Sequence, residues 1–309
     1  MNLKQMTVFR EVMLTGSVSE AARNLNRTQP SVSHMIATLE DELGMRLFER
    51  RRGRLHPVPE AQYLFEECKS LLTRVGTVSQ TMKRMKAMES GELQIVSMPG
   101  PASVLLPELI CHHLGEKPSV QATVLSRSSD AVFQLVGSQQ FDLGIADHEP
   151  ERAIEASLIS SETFIFDCLC AVPSGDPLAN EDVITPETLS GQPMATLFED
   201  HRSFRLTKRA FQTQGAELKV RFITQFFLPL LSYVEKGLAY AIVDPLTVKS
   251  WRLLAGPADT IAFLPFRPTI PFGVDILTPS YRPASLLAKS FAGRVVEEFA
   301  ALGGRQAGP

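Results

Sequence analysis

Between Thr28 and Thr38 the chain sets hydroxyls, an amide and an imidazole close together: Thr28, Gln29, Pro30, Ser31, Ser33, His34 and Thr38. A glutamine amide offers a donor and an acceptor side by side, which matches the major-groove edge of adenine. Small hydroxyls suit phosphate oxygens. Arg50, Arg51, Arg52 and Arg54 follow within five residues. Guanidinium forks of this density meet phosphates or a narrow minor groove, or else cover a solvated face. A third set is scattered through the second half: Pro99, Gly100 and Ser103; Ser126, Ser128 and Ser129; Leu197, Phe198 and Glu199 ahead of Ser203; Thr224 and Gln225. Each group follows an apolar, strand-like run and opens a helix-like one. Free N–H groups at such starts suit a carboxylate. For Ser103 and Ser129 simple helix capping explains the residue equally well. Asp147 and Asp244 follow buried strands and suit an amine or guanidinium, although Asp244 before Pro245 serves a turn as readily.

No catalytic set accompanies them. The six histidines (His34, His56, His112, His113, His148, His201) form no HExxH, and no GxSxG, Walker loop or GxGxxG occurs. His112 and His113 read as a solvated pair, because neighbours on one helix do not both face one ion. Cys168-Leu169-Cys170 has the wrong spacing for a zinc knuckle or redox motif, and Cys68 and Cys111 stand far from it. The expectation is four reduced cysteines, no metal, no cofactor and no enzymatic activity. No apolar run approaches the roughly 18–20 residues of a membrane helix. The polar start Met1-Asn2-Leu3-Lys4-Gln5 is unlike a secretory signal. The expected location is the cytoplasm, without a membrane partner.

The elements that must position these residues can be read from periodicity. Met6, Phe9, Val12 and Met13 make a helical stripe that ends at Thr15-Gly16. Ser17 with Glu20 signals a capping box for a helix over 18–26, with Ala21, Ala22 and Leu25 as a small apolar face. Thr28 caps a third helix, which buries Val32, Ile36, Leu39 and Leu43 before Gly44. Two helices, a tight turn and a third helix make a helix-turn-helix. Leu47–Pro57, with Gly53 near its tip, reads as a two-stranded wing. Next, Ala61, Leu64, Cys68, Leu71, Val75, Val78, Met82 and Met85 repeat at alternating threes and fours. This is an a/d seam of a dimerising helix, or of a long helix packed on its own domain.

Ser90-Gly91-Glu92 reads as a hinge, after which the pattern becomes strand, helix, strand, helix, strand. Strands are expected at 93–98, 120–125 and 142–146, with a Pro/Gly loop at 99–101 before a helix. That order implies a parallel sheet. A second unit is expected from an apolar strand at 164–172, with strands at 194–197 and 240–243 and helices at 203–213 and 226–236. A strand at 272–277 and a helix at 284–302 close the chain, and 303–309 are expected to fray. Charge divides similarly. Residues 1–90 hold fourteen Lys and Arg against ten Asp and Glu, net +4, and the remainder seventeen against twenty-four, net −7. A basic head on an acidic body points to a polyanion for one part only.

With these motifs in view, residues 1–90 resemble the LysR-type transcriptional regulators, and the remainder fits their effector domain. The resemblance rests on Ser17-Val18-Ser19-Glu20-Ala21-Ala22-Arg23-Asn24-Leu25, Thr28-Gln29-Pro30-Ser31-Val32-Ser33, Leu39-Glu40, Leu43-Gly44 and Leu47-Phe48-Glu49-Arg50. His34, His56 and Glu60-Ala61 depart from the family pattern. The opening residues, Pro57–Ala61 and Ile242-Val243-Asp244-Pro245 are most similar to the octopine and nopaline catabolism branch, with the diaminopimelate-sensing branch beside it. The resemblance implies a winged helix-turn-helix over 1–58, a linker helix over 59–90, and an effector domain over 91–309. That domain would comprise two Rossmann-like subdomains of periplasmic-binding-protein type II character, one about 91–163 and 268–309, the other about 164–267. It further implies a homodimer, usually a dimer of dimers, on an imperfect palindrome of double-stranded DNA. A small inducer, an amino acid, opine or related carboxylate, would lie between the subdomains, with RNA polymerase as a further partner. Two alternatives stay open at this point: a solute-binding protein and an enzyme, each on a two-lobed α/β body.

Overall fold

The computed structural model describes residues 1–51, 54–150, 158–256 and 260–307; Arg52 and Gly53, and the side chains of Arg50, Arg51 and Arg54, lie outside the described set. The chain divides into two units, Met1–Ala87 and Met88–Pro309.

In the first unit, α1 (Leu3–Thr15) opens on a reciprocal cap between Asn2 and Gln5 and stops at Gly16, whose φ is +65°. Helix α2 (Val18–Asn24) starts at Ser17, whose hydroxyl accepts from the Glu20 N–H at 3.4 Å. It ends two residues earlier than expected, because Asn26 turns the chain at φ +52°. Helix α3 (Gln29–Leu43) starts at Thr28 and carries Pro30 in its first turn, where the missing N–H has no partner to lose. Phe9, Val12, Ala21, Ala22, Val32 and Leu39 make the shared core. The small alanines let α1, α2 and α3 cross closely. The wing is β1 (Phe48–Arg51) paired antiparallel to β2 (Arg54–Pro57). Glu40 of α3 anchors its root by accepting from the N–H groups of Leu47 and Phe48, at 2.7 and 3.1 Å.

Helix α4 (Pro59–Lys86) divides the predicted seam in two. Ala61 and Cys68 are buried, and Leu64, Phe65 and Leu72 pack beside them on the first unit's core. Beyond Leu72 every residue to Ala87 is exposed, including Val75, Val78, Met82 and Met85. The seam is therefore a domain contact at one end and a bare apolar stripe at the other.

In the second unit, β3 (Ser90–Ser97), the short α5 (Pro99–Ser103), α6 (Leu105–Leu114), β4 (Ser119–Ser126), α7 (Ser129–Gly137), β5 (Leu143–Asp147) and β6 (Ile159–Asp167) build one lobe. The other contains β7 (Leu169–Pro173), β8 (Pro193–Leu197), α8 (Arg202–Thr213), β9 (Lys219–Thr224), α9 (Leu228–Glu235), β10 (Tyr240–Val243), α10 (Pro245–Ala255) and β11 (Ile261–Pro265). The chain returns through β12 (Pro271–Pro279), α11 (Leu286–Ala301) and β13 (Arg305–Gln306). The first lobe's sheet runs β13-β6-β12-β5-β3-β4 and the second's β11-β7-β10-β8-β9. In each lobe three parallel strands (β4, β3 and β5 in one, β9, β8 and β10 in the other) form one side of the sheet, and antiparallel strands continue it on the other.

Several expectations need correction. The strand expected at 164–172 is two strands in two different sheets, β6 and β7, which part at buried Cys168. A continuous apolar run conceals such a crossing, because both strands are buried. The Cys168 N–H donates to the Ile270 carbonyl at 3.0 Å, so the outgoing and returning crossovers lie side by side. The hinge expected at Ser90-Gly91-Glu92 is instead the start of β3, paired to Ser119-Val120-Gln121. Pro99–Pro101 form a helical turn, not a loop. The tail does not simply fray. Arg305 and Gln306 pair with Ile165 and Phe164, and Arg305 forks onto Asp167 at 2.6 and 3.0 Å. His113 is half-buried instead of fully solvated; it packs edge-on against Phe291 and bonds Ser290 at 3.2 Å.

Candidate nucleic-acid interface and candidate ligand cleft

The outward face of α3 follows from its burial pattern. With Val32, Ile36 and Leu39 committed to the core, rotation about α3 leaves Gln29, Pro30, His34 and Ala37 exposed. Thr28 is exposed as well, and its hydroxyl accepts from the Ser31 N–H at 3.4 Å, so it caps the helix. The Gln29 side-chain amide donates to the Ser33 hydroxyl at 3.4 Å. Thr38 spends its hydroxyl on the His34 carbonyl at 2.9 Å. Thr28, Gln29, Pro30, Ser31, Ser33 and His34 thus share one end of one helix, and Thr38 lies a turn further on. The predicted arginine contacts Arg50, Arg51, Arg52 and Arg54 lie, as side chains, outside the described residues.

The second unit holds a cavity of about 250 Å³ where the carboxyl ends of both sheets face one another. One wall comprises Met98–Pro101 after β3, Ser128–Asp130 at the start of α7, Asp147–Glu149 after β5, and Pro271–Gly273 at the start of β12. The facing wall comprises Leu197 and Phe198 after β8, Asp200–Ser203 at the start of α8, Gln225–Phe227 after β9, and Asp244, Leu246 and Thr247 after β10. Of the predicted ligand residues, Pro99, Gly100, Ser128, Ser129, Asp147, Leu197, Phe198, Gln225 and Asp244 line this space. Ser103, Ser126, Glu199 and Thr224 do not. Ser103 donates to the Pro99 carbonyl and Thr224 to the Phe226 carbonyl, at 2.6 and 2.8 Å.

The cavity also recruits residues that the sequence did not single out. His148 bonds the buried Asp275 through Nδ1 at 3.0 Å, and Asp275 also accepts from Thr163 at 2.6 Å. Gly273 is required beside it, since a Cβ there would stand 2.7 Å from that of His148. His201 caps α8 by accepting from the Ser203 N–H at 3.1 Å, with Phe198 and Phe227 edge-on to its ring. Burial drives its pKa down to about 4, helped by neighbouring Arg205, so the ring is neutral near pH 7. Asp244 is 2% exposed and caps α10, accepting from the Thr247 N–H and hydroxyl at 3.0 and 2.6 Å. Burial nevertheless raises its pKa to about 6. The turn role open to Asp244 before Pro245 is thus realised as the cap of a helix start.

Comparison with known proteins turns this geometry into an identity. Residues 3–62 match the model of the bacterial regulatory helix-turn-helix protein, lysR family, and residues 86–300 match that of the LysR substrate binding domain. The chain belongs to the LysR family. It is a DNA-binding transcriptional regulator with a substrate-binding domain, and not an enzyme. It is 29% identical to the transcriptional activator protein LysR of Escherichia coli K12 over 95% of this chain and 92% of that one. It is 31% identical to OccR, the octopine catabolism and uptake operon regulatory protein of Rhizobium meliloti, over 86% of this chain and 85% of that one. The solved structure of CbnR, a LysR family regulator, superposes with a TM-score of 0.67 at 18% identity, covering 96% of this chain and 100% of that one. These likenesses bear out the expected fold class: a helix-turn-helix with a long helix, then a two-lobed α/β body. Among the described residues of this LysR-type regulator, no helix is long and apolar enough to cross a membrane.

Proposed function

We propose that this LysR-type regulator reads an imperfect palindrome through the start of α3 and switches when a small amino acid, opine or related carboxylate enters the cleft between its lobes. Gln29 faces a base edge. Thr28, Pro30, Ser31, Ser33, His34 and Thr38 position the helix on the backbone, and the wing arginines Arg50, Arg51, Arg52 and Arg54 hold phosphates or a minor groove. The exposed stripe of α4 dimerises with a second copy, and two dimers assemble on one operator. A helix that buries nothing along its last fourteen residues is marginal alone and gains stability from such a partner. The inducer acts by binding two closures of the lobes unequally, since equal affinity shifts no equilibrium. RNA polymerase is the downstream partner, and the cytoplasm, where bacterial DNA lies, is the site of action.

The observation that carries the ligand reading is the cavity of about 250 Å³, walled by loop ends from both lobes. This is where open α/β sheets bind ligands. Footprinting of the upstream promoter fragment across inducer concentrations tests the switch. Candidate amino acids and opines are first ranked by thermal shift, since a true ligand raises apparent stability by mass action. The expected result is a shift in half-site protection or DNA bend on ligand addition. An unchanged protection pattern with saturating ligand bound refutes it.

A further inference from the structure

Among the described residues, four buried side-chain atoms find no hydrogen-bond partner: Nε of Arg10 and of Arg282, Oγ of Ser90 and Oγ1 of Thr196. Thr196 lies one residue from the end of β8, which runs between β9 and β10, and it is 7% exposed. Its side chain borders a second cavity, of about 10 Å³, between β8 and the first two turns of α8. An unpaired hydroxyl in such a place costs free energy, so it points to an atom that belongs beside it.

Two more hydroxyl residues line the same small space. Ser203 and Thr207 stand four residues apart on α8, hence on one face of the helix, and are 6% and 4% exposed. Every other residue around the space is apolar, and none is charged. Leu197, Ser203 and Phe227 border both this space and the cleft of about 250 Å³. The small space is therefore an annex directly behind the cleft wall, at the start of α8. Ser203 is the smallest of the three residues between them. The annex admits one oxygen-sized atom. Its lining cannot repay the desolvation of an ammonium or carboxylate. A neutral hydroxyl, which both donates and accepts, suits it.

We infer that the annex is a subsite for an uncharged hydroxyl of the inducer, and that Thr196 is the residue that reads it. The hydroxyl enters past Ser203 and pairs with Thr196 Oγ1, while the rest of the molecule stays in the cleft. The cleft is smaller than the roughly 300–1,000 Å³ of drug-sized sites, which fits a small amino acid with a hydroxylated side chain. A deoxy analogue fails to supply the partner that Thr196 lacks, and that asymmetry makes a single hydroxyl discriminating. This inference rests on the reading of the cleft as the inducer site.

Calorimetric titration of the full-length protein tests it with pairs that differ by one oxygen. L-serine is compared with L-alanine, and L-threonine and L-homoserine with L-2-aminobutyrate. At least one hydroxylated probe should bind about tenfold or more tighter than its deoxy partner, the worth of one well-made hydrogen bond. Thr196→Val keeps the shape and removes the hydroxyl. It should cut that ratio below about threefold, while Thr196→Ser keeps it. Circular dichroism checks that both variants fold, and the comparison of pairs on the parent protein stands whatever the variants do. Hydroxylated and deoxy probes that bind equally overturn the inference, as does an unchanged ratio in Thr196→Val or no binding by any hydroxylated probe. Gly100→Trp, at a position where an added Cβ meets nothing within 4 Å, fills the cleft and separates the two claims. If a deoxy probe binds as tightly as its partner and Gly100→Trp blocks both, the cleft reading stands and the annex fails. Binding that survives Gly100→Trp removes the cleft reading itself.

Discussion

The two ends of this regulator make their sites in opposite ways. The proposed reading surface is local: one helix, capped at Thr28, exposes Gln29, Pro30 and His34 because Val32, Ile36 and Leu39 face the other way. The proposed ligand cleft is concave and assembled. Its lining comes from short stretches scattered along the chain from Met98 to Gly273. The charge differs as well, a basic net over residues 1–90 against an acidic net beyond them. A site on one helix needs only that helix to be stable to point its side chains outward, so it tolerates little loss of the helix's packing. An assembled site depends on where several strand ends stop, and its chemistry is set by burial. That is why the large pKa shifts of His201 and Asp244 occur in the cleft.

The sharpest way to break this separation is to unfold one site alone. Leu39→Ala removes a fully buried side chain from the first unit and should cost about 2–5 kcal/mol. Gel shift should lose operator binding, while thermal-shift titration on the second unit's transition keeps its ligand response. Loss of both would show one cooperative body instead of two.

The pH dependence of the cleft comes next, and its two buried groups act in opposite directions. His201 is neutral in the fold down to about pH 4, whereas its ordinary pKa is 6.5. The unfolded chain therefore takes up the proton first. The stability this group confers is complete above about pH 6.5 and is lost as pH falls to about 4, a change of about 3 kcal/mol. Asp244 is the reverse, with its pKa raised from 3.8 to about 6. Its ionisation penalty is absent below about pH 4 and complete above about pH 6, again about 3 kcal/mol. Urea titrations should show His201→Asn, which keeps a cap, becoming less acid-sensitive than the parent between pH 6.5 and 4. Asp244→Asn should gain stability at pH 7 and lose more on acidification. Parallel profiles for the two variants would contradict the burial assigned to both.

The exposed half of α4 is a third point of attack. Val78 and Met82 are 55% and 59% exposed, so Val78→Glu with Met82→Glu should leave the monomer fold intact. The double change should weaken the dimer about a hundredfold, near 2.8 kcal/mol, by sedimentation. An unchanged dimer would move the interface elsewhere. Smaller still, if Gln29 reads a base edge as proposed, Gln29→Ala should cost about 1–3 kcal/mol at one base pair without altering thermal stability. A uniform loss across all operator sequences would make Gln29 a backbone contact. Least of all, the exposed fork of Arg305 on Asp167 should contribute under about 1 kcal/mol in an Arg305→Ala comparison of melting temperatures.

How much could be read beforehand follows the same division. The helix-turn-helix was legible residue by residue, since its caps at Ser17, Thr28 and Gly44 and its core stripe all lie within a few turns of chain. The cleft was legible in outline. Strand ends at Met98, Asp147 and Leu197 marked where a ligand belongs, but Ser103 and Thr224 proved to be bonded to their own backbones. His148, His201 and Pro271–Gly273 carried no local signal, because nothing near them in sequence announces what faces them across the gap. The crossing at Cys168 was hidden for a related reason: Phe166, Cys168 and Cys170 are all buried, so hydrophobicity alone does not tell one sheet from another.

By itself, then, the sequence determined the local elements, the family and the two kinds of surface the protein offers. Periodicity, caps and turns act over fewer than ten residues and do not wait for the rest of the chain. Only the tertiary structure decided which sheet each buried strand joins and where the seam of α4 stops being core. It also decided which polar groups stand dry enough to change their affinity for a proton. Those depend on neighbours distant in sequence, whose approach is set by the packing of the whole unit.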